Sequence, residues 1–193
     1  MLSVVIATEE SEQALLPTLA ALVSGAVAGV VREVIVADGG SGDSTMQIAE
    51  GAGCRVLTSP EPLGARLRAA AAAARAPWLL FLVPGTVPDA TWIDETRRFI
   101  ETAELSGRAR TYAAAFRRGS ATFRPTLIEA LVLLHAALGA TPDPKQGLLI
   151  AKGLYDRLGG HRPSAREPER DLVRRLGRRR IVLLRTGAVS AIT

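Results

Sequence analysis

Lysine is nearly missing from this chain. Lys145 and Lys152 are the only two, so the net charge of +5 is carried by arginine. Aromatic residues make up 4% of the sequence, which leaves Leu, Val, Ile and Ala to fill the core. Cys54 is the single cysteine. That excludes an intramolecular disulfide and fits a reducing cytoplasm, and Cys54 itself reads as a small buried apolar residue. Two histidines, His135 and His161, are too few for a histidine-based metal site. No apolar run reaches the roughly 18 residues that span a bilayer. The longest, LIEALVLLHAALGA, is interrupted by Glu129 and His135. The opening MLSVVIATEESE has no basic segment and turns acidic early, so it makes a poor secretory signal.

What is present describes a globular chain. Its 193 residues are 48% hydrophobic and 22% charged, enough for one domain with a real core. The positive balance suits an anionic ligand: a phosphate, a nucleic acid or a membrane surface.

The first half alternates between strand and helix patterns. LSVVIA, EVIVAD, CRVLTS and WLLFLV are short, continuous apolar runs. Between them lie a segment from Ser11 with Leu15, Leu16, Leu19, Leu22 and Val23 on one face, the stretch STMQIAEGA, the alanine-rich EPLGARLRAAAAAARA and DATWIDETRRFIETAE. This alternation predicts an α/β fold, a three-layer α/β/α sandwich with a mostly parallel sheet. Ligands of such sheets sit beyond the carboxyl ends of the strands, which places Thr8, Asp38–Asp43 and Val83–Thr86 on one rim. The second half is less regular. It offers one or two strands in ARTYAAAFRRGSATFR, a helix from Pro125 to about Gly139, a strand and short helix in LLIAKGLYDRLGG, a helix in PERDLVRRLGRR and a last strand, IVLLR. No linker or internal repeat divides the chain.

The stretches LSVVIATEES, REVIVADGGSGDST, APWLLFLVPGT, KQGLLIAKGLYDRLGG and RDLVRRLGRRRIVLL, in this order, resemble family 2 glycosyltransferases of the GT-A fold. They cover nearly the whole chain, which is then expected to be one GT-A domain over 1–193. Its nucleotide-binding half is 1–104 and its acceptor-side half 105–193. The resemblance implies transfer of a sugar from a nucleotide-diphosphate donor to an unknown acceptor. It carries over Thr8, Glu10, Asp38, Arg66, Arg68, Gly85 and Thr86 as nucleotide-binding residues, and Lys145, Gln146 and His161 as acceptor-side residues. Asp38 as a ligand for the base or ribose stands beside Asp38 as a turn cap. Asp43 is as well read as a helix N-cap. Arg66 and Arg68 are two apart on a helix, so at most one of them faces the donor, and a solvated arginine is the better reading of either.

Three positions depart from the family. The fourth strand of relatives runs into an acid that binds Mn²⁺ or Mg²⁺, but here FLVPGT puts Pro84 and Gly85 there. A glycine side chain ligates nothing, and the next acid is Asp89. The acid of a Gly-Asp-Gln-Gly stretch is replaced by Lys145. The catalytic base of relatives, an Asp before the last amphipathic helix, aligns with Glu169. That carboxylate is one methylene longer and serves as a general base if it reaches the acceptor hydroxyl. The bland alternative is that Glu167, Glu169 and Asp171 are helix N-terminal acids. The expected enzyme is therefore a transferase that works without a metal, with Lys145, an arginine of 66–68, or His161 and Arg162 neutralising the diphosphate. The alternative is a non-catalytic nucleotide-sugar binder or a relative kept for partner binding.

RRLGRRR lacks interleaved aromatics, so nucleic acid is not expected as a partner. Arg174, Arg175 and Arg178 read as a solvated basic face, suited to peripheral contact with an anionic membrane from the cytoplasmic side. A homodimer is the remaining partner expectation.

Overall fold

The computed structural model describes residues 1–119, 143 and 146–190. The helix expected at 125–139, His135 and Lys145 lie outside the described residues. Eight strands form one sheet: β1 (Leu2–Thr8), β2 (Val31–Asp38), β3 (Arg55–Thr58), β4 (Trp78–Leu82), β5 (Thr86–Pro88), β6 (Ala113–Arg118), β7 (Leu148–Ala151) and β8 (Ile181–Ser190). Their order across the sheet is β3-β2-β1-β4-β7-β6-β8-β5. Four neighbouring pairs are parallel and three antiparallel. The expected α/β fold holds, and its parallel part is the block β3-β2-β1-β4. Beyond β4 the sheet is mixed.

Among the described residues six α-helices flank it: α1 (Glu12–Val27), α2 (Thr45–Gly51), α3 (Leu63–Ala73), α4 (Trp92–Leu105), α5 (Lys152–Arg157) and α6 (Pro168–Leu176). Strand residues of alternate parity feed two cores, which explains the continuous apolar runs. Leu2, Val4, Ile6, Trp78, Leu80 and Leu82 pack with α1 and α4. Val5, Ile35, Leu79 and Phe81 pack with α3, α5 and α6. Each face of the sheet thus buries its own apolar layer, the main driving force for the fold.

Two sequence expectations shift. α1 buries Leu15, Thr18, Leu19, Leu22 and Gly25, while Leu16 and Val23 are 55% and 60% exposed. The ring of Trp92 rests on Gly25 and rolls the helix away from the face that a count of leucines suggests. β5 goes unseen in the sequence because it is three residues long and ends in Pro88. Its position at the sheet edge, paired only with β8, is where a strand tolerates proline.

Candidate functional site

β1, β2 and β4 all end on one rim. Asp38 closes β2 and is wholly buried. One oxygen accepts from Thr8 Oγ1 at 2.8 Å and Ser41 Oγ at 2.6 Å; the other accepts from the Gly40 and Ser41 N–H groups at 2.7 and 2.8 Å. A carboxylate has about four acceptor sites, so all are taken by the chain itself. Burial alone raises the Asp38 pKa, but the bonds from Ser41, Thr8 and Gly40 outweigh it and hold the group below its ordinary value. Of the two readings of this residue, turn cap is the one the geometry fills. Ser41 is the partner that sequence reasoning missed. Its spacing, three residues after an Asp in a Gly-Gly turn, was the available signal.

The neighbouring acids are used in the same way. Glu10 accepts from Gly42 N–H at 2.6 Å. Asp43 accepts from Thr45 N–H at 2.9 Å and from Glu12 N–H at 3.2 Å, while Glu12 accepts from Ser44 N–H at 3.1 Å. The N-termini of α1 and α2 thus cap each other, with Asp43 satisfying orphan donors of both. Hydrogen bonding from Thr45 is the main reason its pKa is lowered.

Arg66 is not a solvated arginine. It is 7% exposed, and its guanidinium donates to Thr8 O at 2.7 Å, Ala37 O at 3.3 Å and the Glu9 carboxylate at 3.1 Å. It fixes a positive charge under the carboxyl ends of β1 and β2. Arg68, two residues on, is exposed.

The turn after β4 is tied to α1. Gly85 has φ of +88°, and its N–H donates to Ala14 O at 2.8 Å and to Thr18 Oγ1 at 2.9 Å. An aspartate at this position would meet left-handed backbone strain. Thr86 is buried beside it. Asp89 accepts from Thr91 at 2.9 and 2.6 Å and from Gly187 N–H at 2.9 Å, so it is committed to the start of α4 and to β8. Among the described residues no group of three His, Cys, Asp or Glu could hold a metal. At the turn after β4 the described residues thus offer a glycine and an acid already bonded to the chain, and no step is routed through a metal.

The side expected to face the acceptor is built differently. Gln146 bridges β6 and the loop before β7, donating to Phe116 O at 2.8 Å and accepting from Asp143 N–H at 2.8 Å. Pro168 opens α6, which presents Glu169 in its first turn. Glu169 is part-buried and accepts no hydrogen bond from the described residues. Burial, then the Asp143 charge, raises its pKa. It lines a cavity of about 20 Å³ with Phe81, Asp143, Gly147, Leu148, His161 and Val173. His161 is buried, its ring 4.8 Å edge-on from Phe81 and its Nδ1 3.0 Å from the Tyr155 hydroxyl. Burial first, then the Arg175 charge, lowers its pKa to about 3. A buried ring held toward the neutral form is poorly suited to neutralising a diphosphate. Tyr155 was not foreseen, although it stands just before the Gly159–Gly160 turn that carries His161. Gly160 has φ of +62°, and a Cβ there would lie 2.9 Å from the Tyr155 ring, so only glycine lets this turn close over the phenol. Arg175 is also corrected. It is 16% exposed, and it donates to Asp171 at 2.8 Å, Gly160 O at 2.6 Å and Leu158 O. It clamps the turn instead of facing solvent. Arg174 and Arg178–Arg180 are exposed, as are Val182 and Leu183 beside them. No helix of the described residues is long and apolar enough to cross a membrane.

Residues 3–119 match the family model described as glycosyl transferase family 2. No curated protein matches the sequence. Among solved structures, glucosyl-3-phosphoglycerate synthase from Mycobacterium tuberculosis, in complex with Mn²⁺, UDP and glucosyl-3-phosphoglycerate, is similar with TM-score 0.64 at 22% identity. The alignment covers 95% of this chain and 68% of that one. S. aureus TarS 1–349 in complex with UDP is similar with TM-score 0.67 at 16% identity, over 97% of this chain and 60% of that one. Full S. aureus TarS matches with TM-score 0.67 at 15% identity, over 99% of this chain and 36% of that one. These likenesses establish the GT-A fold.

Proposed function

The chain belongs to glycosyl transferase family 2, and from that premise we propose that it moves a glycosyl group from a nucleoside-diphosphate sugar to a hydroxyl acceptor, with Glu169 as general base and without a metal ion. The observation that carries this reading is the state of Glu169: a carboxylate in a cavity at the carboxyl end of β4, without a hydrogen-bond partner among the described residues and raised in pKa by burial. A base poised above the ordinary carboxylate range is matched to deprotonating an alcohol as it attacks.

In the proposed step the acceptor oxygen bonds to the anomeric carbon. The bond from that carbon to the diphosphate oxygen breaks, and its electron pair leaves with the nucleoside diphosphate. The acceptor proton passes to Glu169. The donor lies across the rim of β1 and β2. Thr8, Glu10 and Asp38 shape that rim by holding the Gly39–Gly42 turn, and Arg66 supplies a fixed positive charge beneath it. UDP and UDP-GlcNAc complexes of the similar structures support a uridine nucleotide as the first donor to try.

Gly85 at the family's metal position favours a second reading, a nucleotide-sugar binder without transfer. Calorimetry with UDP and UDP-sugars, with and without Mn²⁺, followed by a transfer assay, separates the two. Metal-indifferent binding with turnover supports the enzyme. Binding without turnover on any alcohol acceptor supports the binder. Metal-dependent binding overturns the metal-free assignment.

A further inference from the structure

The Tyr155 hydroxyl fixes the position of a proton on His161. It accepts from the His161 backbone N–H at 3.0 Å and lies 3.0 Å from His161 Nδ1. A phenol has a single proton to give. Tyr155 is buried, and no other acceptor is within reach of its hydroxyl among the described residues. Among the described residues Nδ1 is the acceptor placed to take that proton, and the arrangement that uses the phenol's donor leaves Nδ1 bare. A neutral imidazole then carries its own proton on Nε2. Gly160 and Arg175 hold this arrangement, the first by letting the turn approach Tyr155, the second by clamping Leu158 and Gly160.

With Nδ1 taken, Nε2–H is the polar edge His161 has left, and the ring lines the same cavity as Glu169. The other walls are Phe81, Gly147, Leu148 and Val173, with Asp143 at the side where Arg118 pairs with it at 3.1 Å. The volume of about 20 Å³ holds one oxygen atom and little more. We propose that this cavity is a one-oxygen pocket for the acceptor, in which a hydroxyl donates its proton to Glu169 and accepts a hydrogen bond from His161 Nε2–H. The proposal rests on the reading of Glu169 as base. It adds a second residue that touches the acceptor oxygen. An alcohol oxygen has one proton and two lone pairs: the proton meets Glu169, one pair meets His161, and one remains for attack. An ammonium group has no lone pair for His161 and is rejected.

Two histidines in the chain make the first test simple. Long-range ¹H–¹⁵N correlation of the ring nitrogens should show His161 neutral and protonated on Nε2 at neutral pH. An Nδ1–H ring or an imidazolium there overturns the proposal. His161→Phe keeps a ring in the space and removes the donor. Acceptor KM should rise about tenfold, the worth of one hydrogen bond, while UDP affinity stays unchanged. His161→Gln, which places an amide N–H near the former Nε2, should restore most of it. Unchanged acceptor KM in a folded His161→Phe overturns the pocket. A high-resolution crystal structure gives a readout that needs no turnover. One ordered water within hydrogen-bond distance of both Glu169 and Nε2 supports the pocket even if no transfer is found, in which case only the role of Glu169 falls. A dry cavity overturns the pocket itself.

Discussion

The two sides of the rim use acids in opposite ways. On the donor side Asp38 and Asp43 each accept several hydrogen bonds from their own chain, and their pKa values are pushed down. On the acceptor side Glu169 accepts none from the described residues, and its pKa is pushed up. A carboxylate whose acceptor sites are filled by N–H and O–H groups is a structural device: ionisation is its resting state, and removing it orphans the donors. One that is part-buried and unsatisfied is held at a cost and is free to take a proton. The sign of the pKa displacement therefore separates the acids that build the site from the acid proposed to act in it.

The largest expected effect tests the acceptor side. Glu169→Gln should lower transfer by roughly 10²–10⁴-fold, the usual range for a lost general base. UDP affinity and thermal stability should hold, and a product assay beside a melting curve reads both. Wild-type turnover in this variant would end the comparison, since Glu169 would then be only a helix N-terminal acid.

The donor side should break in the reverse manner. Asp38→Ala leaves buried donors from Thr8, Gly40 and Ser41 unpaired, with a loss of about 3 kcal/mol or more. Chemical denaturation measures it. Weaker UDP binding is expected as a consequence of a loosened turn. An unchanged midpoint would show that Asp38 is free for the ligand after all.

Acidity sharpens the contrast within the acceptor side itself. His161 has a folded pKa of about 3 against an unfolded value near 6.5, so the stability it contributes is complete above pH 6.5 and is lost as pH falls toward 3. The wild type should lose on the order of 4 kcal/mol across that window, and His161→Phe should not show this part of the loss. For Glu169 the shift is upward. The acid limb of kcat/KM should fall above the ordinary carboxylate value of 4.5, as a pH profile will show.

Metal removal probes the turn that joins the two sides. Chelation should leave UDP affinity unchanged within about twofold, because Gly85 and Asp89 are occupied elsewhere. A loss of tenfold would place an acid at the donor that the geometry does not show. The smallest effect concerns the exposed Arg178–Arg180 turn with Val182 and Leu183 beside it. Changing the three arginines to Ser should lower sedimentation with anionic vesicles, by about 1 kcal/mol per charge, and leave turnover on a water-soluble acceptor intact.

Most of the fold was legible in the residues. Four apolar runs alternating with helix patterns name the parallel block, because a strand buried on both faces has to be apolar at every position. Thr8 and Asp38 were placed on the rim by the same rule of strand ends. The state of the site was not legible. Asp38 reads the same whether its oxygens face a nucleotide or Ser41. Arg66 reads as a surface arginine until the carbonyls of Thr8 and Ala37 close on it. Arg175 sits in a run of basic residues that pattern alone assigns to solvent, yet it holds the turn of His161.

The sequence by itself determined the α/β order and the family, since these depend on residue type and chain order. Only the tertiary structure decided which acids are saturated, which one accepts no hydrogen bond from the described residues, and that the Tyr155 hydroxyl faces Nδ1 of His161. Those properties belong to donors brought together from residues distant in the chain, and to the water that packing excludes around them.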